Sequence, residues 1–209
     1  LRTPNSIGSY GALAAIILQA NQNEQHGGQS IPNFDYAMAP GVDKSFRKAL
    51  SRAIRQYNRF SGNKEITVKI PEDLAYGDDK AIKKLKLPNE IVESANEDVE
   101  RQTFQAMEGF IHNLNTMHSR AGAQVPFTSI NFGTDTTPAG RLVSKCLLEA
   151  TEDGLGHGET PIFPISIFKV KEGINYNPED PNYDLFKKSM EVSAKRLFPN
   201  FVFIDAPFN

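Results

Sequence analysis

The second half of the chain switches repeatedly between two periodicities, and this alternation most constrains its fold. Val125 to Phe132 is a short apolar run of strand length. Thr137-Pro138 then offers a cap and a first-turn proline to a helix carrying Leu142, Val143, Cys146, Leu147 and Ala150, with Gly154 as its stop. Ile162 to Val170 reads as the next strand, with Pro161 and Pro164 at its entrance. A helix from Asn182 to Leu197 and a last strand from Phe201 to Ile204 complete the series. Strand–helix–strand–helix–strand at this spacing argues for parallel βαβ units, with helices outside a sheet or barrel. The expected fold class is therefore α/β.

The first half is more helical. Pro4 begins a helical pattern with Thr3 as N-cap, and Ile7, Tyr10, Leu13, Ala14 and Ile17 recur at helical spacing. Gly8, Gly11, Ala12 and Ala15 make that helix thin, so another backbone can approach it closely, either inside its own domain or across a subunit interface. Gly27 and Gly28 break the pattern, and Gln29 to Phe34 reads as a short strand. A helix is expected from Asp43 to Phe60, ended by Gly62 and Asn63. Glu65 to Ile70 alternates as a half-buried strand does, and Pro71 closes it. Residues 72–88 form a charged surface excursion with a short helix. The longest helix is expected from Asn96 or Asp98 to Ser119, with Phe104, Met107, Ile111, Leu114 and Met117 as its stripe and Gly122 as its break. Glu97, Asp98 and Glu100 then sit where the helix dipole favours acids.

Composition excludes several classes. The 209 residues suffice for one real core or for a piece of a larger one. A formal net charge of −2 gives no basic platform for nucleic acid or for a membrane surface, and the Lys80–Lys86 run reads as a solvated face. The single cysteine, Cys146, falls on an apolar helix stripe and reads as core; no internal disulfide can form, which fits a reducing, cytoplasmic setting. With one cysteine and His112 and His118 six apart on a helix, no metal site is expected. No apolar run reaches the ~18 residues of a membrane span. The chain begins with Leu1 and ends at Asn209 after a Pro-Phe pair, so an internal segment of a longer protein is expected.

Three stretches carry candidate chemistry. Gly27-Gly28-Gln29-Ser30 lies between a helix and a strand; paired glycines either let backbone approach a ligand or make a turn. Ser129 and Asn131 stand two apart on one strand and so share a face; polar groups there need partners, from a ligand or from neighbouring backbone. Gly133-Thr134-Asp135-Thr136-Thr137 leads from a strand into a helix. Such a turn either holds an anion on free N–H groups or caps itself, and Asp135 would repel phosphate.

Four blocks resemble one enzyme family, the anaerobic, glycyl-radical ribonucleoside-triphosphate reductases. They are NEQHGGQS (Asn23 to Ser30), RAGAQVPFTSINFGTDT (Arg120 to Thr136), GETPIFPI (Gly158 to Ile165) and KRLFPNFVFIDAPFN (Lys195 to Asn209). They occur in the family's order, so the resemblance covers nearly the whole chain. The family commonly has GNGETP where this chain has GHGETP, and His157 is given no role.

The resemblance implies about half of a ten-stranded α/β barrel of the ribonucleotide reductase type, with long helices outside. Residues 1–209 would then be one segment from the first half of the catalytic barrel, truncated at both ends. It implies reduction of ribonucleoside triphosphates in the full-length protein, ATP and deoxynucleoside triphosphates as effectors, a radical-SAM activase as partner, and a homodimer. The helices Pro4 to Asn21 and Asp98 to Ser119 are the candidates for the dimer surface. The cysteines and the glycyl radical would lie outside this segment, which would carry no catalytic residue or cofactor of its own. Gly27, Gly28, Gln29, Ser129 and Asn131 are its candidate substrate-binding residues, and effector-binding residues are unassigned. The alternatives are a non-catalytic nucleotide-binding or regulatory domain, or another glycyl-radical enzyme.

Overall fold

The computed structural model describes residues 3–25, 27–60, 65–118 and 124–207. His26, Gly62, Asn63, Ser119, Gly122, residues 120–123 of the long central block and the last two residues of the final block lie outside the described residues.

The elements run α1 (Ile7–Glu24), β1 (Gln29–Ile31), α2 (Phe34–Phe60), α3 (Asp79–Lys84), α4 (Asn89–Thr116), β2 (Thr128–Phe132), α5 (Pro138–Asp153), β3 (Ile165–Val170), α6 (Tyr183–Arg196) and β4 (Asn200–Phe203). The strands form one four-stranded sheet in the order β1-β2-β3-β4, every pair parallel. The α/β class and the parallel βαβ series are both present.

Local chemistry explains the second half closely. The Thr137 side chain accepts a hydrogen bond from Gly140 N, Pro138 fills the first helical position, and Gly154 ends α5 at φ 78°. Gly154 suits that position because L side chains rarely adopt a positive φ. α6 stops instead on Leu197, a left-handed leucine at φ 65°.

The first half corrects several sequence expectations. α1 begins at Ile7, not Pro4, because the Ser6 hydroxyl caps Ser9 N and the buried Ser45 hydroxyl accepts from Ile7 N. Its thin face is used within the same unit: a side chain at Gly11 would sit 3.3 Å from the Ala106 carbonyl oxygen of α4. The strand at Gln29 ends at Ile31, and α2 begins at Phe34 with Pro40 inside it. Pro40 disfavours an interior helical position. Here it is exposed, while Phe34 and Met38 on the preceding turns are buried and the Phe34 ring packs tilted against Phe110, centroids 4.9 Å apart. Burial of those side chains outweighs the local preference.

Residues 65–70 form no strand. Ile66 is pinned to α2 by Asn58, which accepts from Ile66 N and donates to Ile66 O. The alternation of half-buried side chains is real, but among the described residues no neighbouring strand completes a ladder. α4 starts at Asn89, earlier than expected. Ile91, Ala95 and Val99 extend its buried stripe, and Asp98 lies mid-helix where it binds Arg52 and Arg101. Of the expected stripe, Met107, Ile111 and Leu114 are buried, Phe104 is half-buried and Met117 is exposed.

Candidate functional site

Register decides what the sheet offers. The pairings Gln29↔Thr128, Ile31↔Ile130, Ile130↔Ser166 and Phe168↔Phe201 place these side chains on one face. Ile130, Phe132, Phe168 and Val170 on that face are fully or almost fully buried under the helices. The intervening residues Ser30, Ser129, Asn131, Ile165, Ile167, Lys169, Asn200 and Val202 share the other face, and each keeps solvent exposure. Among the described residues, no helix covers it.

This arrangement sorts the candidate residues. Ser129 and Asn131 do share the bare face, and Asn131 Oδ1 is buried there with no hydrogen-bond partner. A buried acceptor left unmade costs about 1–3 kcal/mol, so it calls for a donor. Thr128 Oγ1 is likewise unpartnered, but it faces the helices. Ser30 joins Ser129 in register, a pairing the sequence alone did not show.

The Gln29 side chain turns away, donating from Nε2 to Leu18 O at 3.1 Å and to Gln22 Oε1 at 3.4 Å. Its backbone N donates to Phe127 O. Gly27 takes φ 97°, and a side chain at Gly28 would meet the Phe127 ring at 3.3 Å. The two glycines thus serve a turn and a close approach, respectively.

The Gly133–Thr137 turn lies at the carboxyl end of β2. Gly133 N, Thr134 N and Asp135 N all donate to one oxygen of buried Asp35, at 2.9, 3.1 and 3.0 Å. Successive N–H groups of this kind make an anion nest, and here the anion is the protein's own. The carbonyls are taken as well. Tyr36 Oη donates to Thr134 O, Asn175 Nδ2 to Gly133 O, and Asn182 Nδ2 to Gly133 O and Asp135 O. Asp135 Oδ1 accepts from Thr137 N. Burial, partly offset by the bond to Thr134, pushes the Tyr36 hydroxyl above its ordinary pKa. The turn is a filled structural joint and leaves no place for phosphate.

Sequence reading missed Asp35, Asn175, Asn182 and Lys169. Asp35 and the two asparagines gave no local signal, because their partners lie 40 to 100 positions away. Lys169 did give one. It stands two and four positions from Ile167 and Ile165 in a strand, so it shares their face. Its ammonium donates to Pro32 O and Asn33 Oδ1 at the end of β1. Burial holds its pKa below the ordinary lysine value, with Asp35 pulling the other way.

The remaining motifs are structural. Asn115 accepts from Ile162 N and Phe163 N and donates to Phe163 O, stapling the GETPIFPI segment to α4. Arg196 donates to Glu152 O and Gly158 O. Cys146 is buried, and that burial pushes its thiol up to about 12. Among the described residues, no group of His, Cys, Asp or Glu is placed to hold a metal, and no helix is long and apolar enough to cross a membrane.

A four-stranded parallel sheet with helices on one side and a mixed polar and apolar wall on the other defines an α/β unit. A family model described as anaerobic ribonucleoside-triphosphate reductase matches residues 1–209, so the chain belongs to the anaerobic ribonucleoside-triphosphate reductase family. The anaerobic ribonucleoside-triphosphate reductase of Enterobacteria phage T4 is 30% identical over 203 residues, which are 97% of this chain and 28% of that protein. The protein of the same name from Haemophilus influenzae is 29% identical over 206 residues, 98% of this chain and 25% of the relative. That from Escherichia coli is 27% identical over the same shares. The chain spans about a quarter of the length of these curated relatives.

Proposed function

We propose that this chain is an internal part of a catalytic subunit that reduces ribonucleoside triphosphates to deoxyribonucleoside triphosphates, and that its bare sheet face is part of the substrate wall. The observation that carries the reading is the unpartnered, buried Asn131 Oδ1 on that face. In this reading Asn131 accepts from a ribose hydroxyl, Ser129 offers a second hydroxyl, and Ile165 and Ile167 exclude water beneath the sugar. Gly27, Gly28 and the Gln29 backbone form the rim of β1 that the substrate approaches. The glycyl radical and the reacting cysteines, which supply hydrogen-atom abstraction from the ribose, belong to other parts of the full-length protein. The residues described here bind and orient.

The sheet belongs, in the same reading, to one segment of about half of a ten-stranded barrel. Support comes from strands that run parallel in chain order, with β1 and β4 at the edges able to accept neighbours. The homodimer surface is assigned to α1 and α4. Gly8, Ala12, Ala106 and Gly109 line a groove between these helices, beside exposed Ile16 and Ile17. ATP and deoxynucleoside triphosphates act as effectors, a radical-SAM activase is the partner, and the working compartment is the cytoplasm.

The test is equilibrium dialysis of a labelled ribonucleoside triphosphate against the full-length protein. Asn131→Ala and Ser129→Ala should each weaken binding by about tenfold, the worth of one hydrogen bond of ~1.4 kcal/mol. Unchanged affinity in both variants would remove the bare face from the substrate site.

A further inference from the structure

We infer that Lys169 is an anion contact on the bare sheet face, taking an anionic oxygen from a phosphate of the bound nucleotide. The inference rests on the bare face being the substrate wall, and it adds a charged group that the motifs did not supply.

The geometry begins with β3. Lys169 follows Ile165 and Ile167 on the same face, and its side chain crosses the end of β2 to reach β1. Ile31 lies opposite Ile130, so Pro32, whose carbonyl takes the ammonium at 3.1 Å, stands at the level of Asn131. The cation and the unpartnered amide oxygen therefore share one end of the wall. An acceptor that lacks a donor and a cation with no direct ion pair, at one end of the wall, are the two halves of a site for a phosphorylated sugar.

Charge accounting points the same way. An ammonium has three donors. Two are used on neutral oxygens, Pro32 O and Asn33 Oδ1. Among the described residues no carboxylate lies within ion-pair distance of Lys169. The acid that acts on it electrostatically is Asp35, whose Oδ2 already accepts three N–H groups and whose Oδ1 accepts from Tyr36 N. A half-buried charge costs desolvation free energy that neutral partners return only in part. The third donor and the absence of a direct ion pair are what an anionic ligand would use.

The experiment uses the full-length protein with Lys169→Gln, which keeps N–H donors but removes the charge, and Lys169→Arg, which keeps the charge. Dissociation constants are measured for a ribonucleoside triphosphate and for the matching uncharged ribonucleoside. The expected result is tenfold or weaker triphosphate binding in Lys169→Gln, ribonucleoside binding within twofold of wild type, and recovery to within about threefold in Lys169→Arg. Equal losses for ribonucleoside and triphosphate, or no loss for either ligand, would overturn the inference and leave Lys169 as a strut. Wild-type protein that binds no ribonucleotide would overturn the substrate-wall reading itself, and this inference with it. Thermal midpoints of both variants within about 3 °C of wild type confirm that the comparison is between folded proteins.

Discussion

Asn131 and Gly133 are two residues apart on the same strand end, yet their surroundings are opposite. Around Gly133, three N–H groups meet Asp35, and the carbonyls meet Tyr36, Asn175 and Asn182. Around Asn131, an amide oxygen is buried without a donor, and the ammonium of nearby Lys169 donates to the neutral oxygens of Pro32 and Asn33. The first region is internally complete, and its polarity serves the fold. The second is incomplete, and its polarity is left over for something else. A motif rich in Gly, Thr and Asp looks like the ligand site, but the plainer wall beside it has the free valences.

That contrast is breakable. The largest expected effect is at Asp35. Asp35→Ala leaves three buried N–H groups without an acceptor and should destabilise the chain by about 3–5 kcal/mol, read from urea denaturation. A loss below ~1 kcal/mol would mean that water replaces the carboxylate easily and that the joint is not closed. Gly133→Ala comes next. It places a side chain at φ 108°, with Cβ 2.7 Å from the Phe168 ring, and should cost about 2–3 kcal/mol. A neutral result would show that the turn can relax.

A smaller effect is expected at the α5–α6 clasp, where Glu152 holds Lys188 and Lys195. Hydrogen bonds from Lys188 and then Lys195 lower its pKa from 4.5 to about 2. A carboxylate depressed in the folded state contributes stability that is present above the unfolded pKa and lost as pH falls through the folded one. Glu152→Gln should therefore cost about 0.5–1 kcal/mol at pH 7, and the gap should close between pH 4.5 and 2. A gap that persists at pH 2 would argue against the ion pairs as its source.

The smallest effect sharpens the contrast most. Asn131→Ala should not destabilise the chain, because the oxygen it removes has no bond to lose and its unmet desolvation cost is relieved. Denaturation of that variant beside its nucleotide affinity separates the two roles. A stability loss as large as that of Asp35→Ala would place Asn131 in the fold rather than in the site.

Legibility from sequence followed the range of the interactions. α5 was readable end to end because its cap, first-turn proline and terminal glycine lie within its own residues. The shared face of Ser129 and Asn131 was readable because strand period is local. α2 was not readable at its start: Pro40 is a local signal against helix, and the packing of Phe34 on Phe110 that outweighs it spans 76 positions. Residues 65–70 failed in the opposite sense, with a clear strand pattern and, among the described residues, no strand to pair with.

By itself, the sequence determined the α/β class, the parallel series of the second half, the family resemblance and the two faces of β2, all of which follow from short-range periodicity, capping and motif order. Only the tertiary structure decided which face stays bare, that Asp35 fills the nest, that the Gln29 side chain turns inward, and that Lys169 stands near Asn131. Each of those depends on groups far apart in the chain meeting, and no local pattern records which distant partner a polar atom will find.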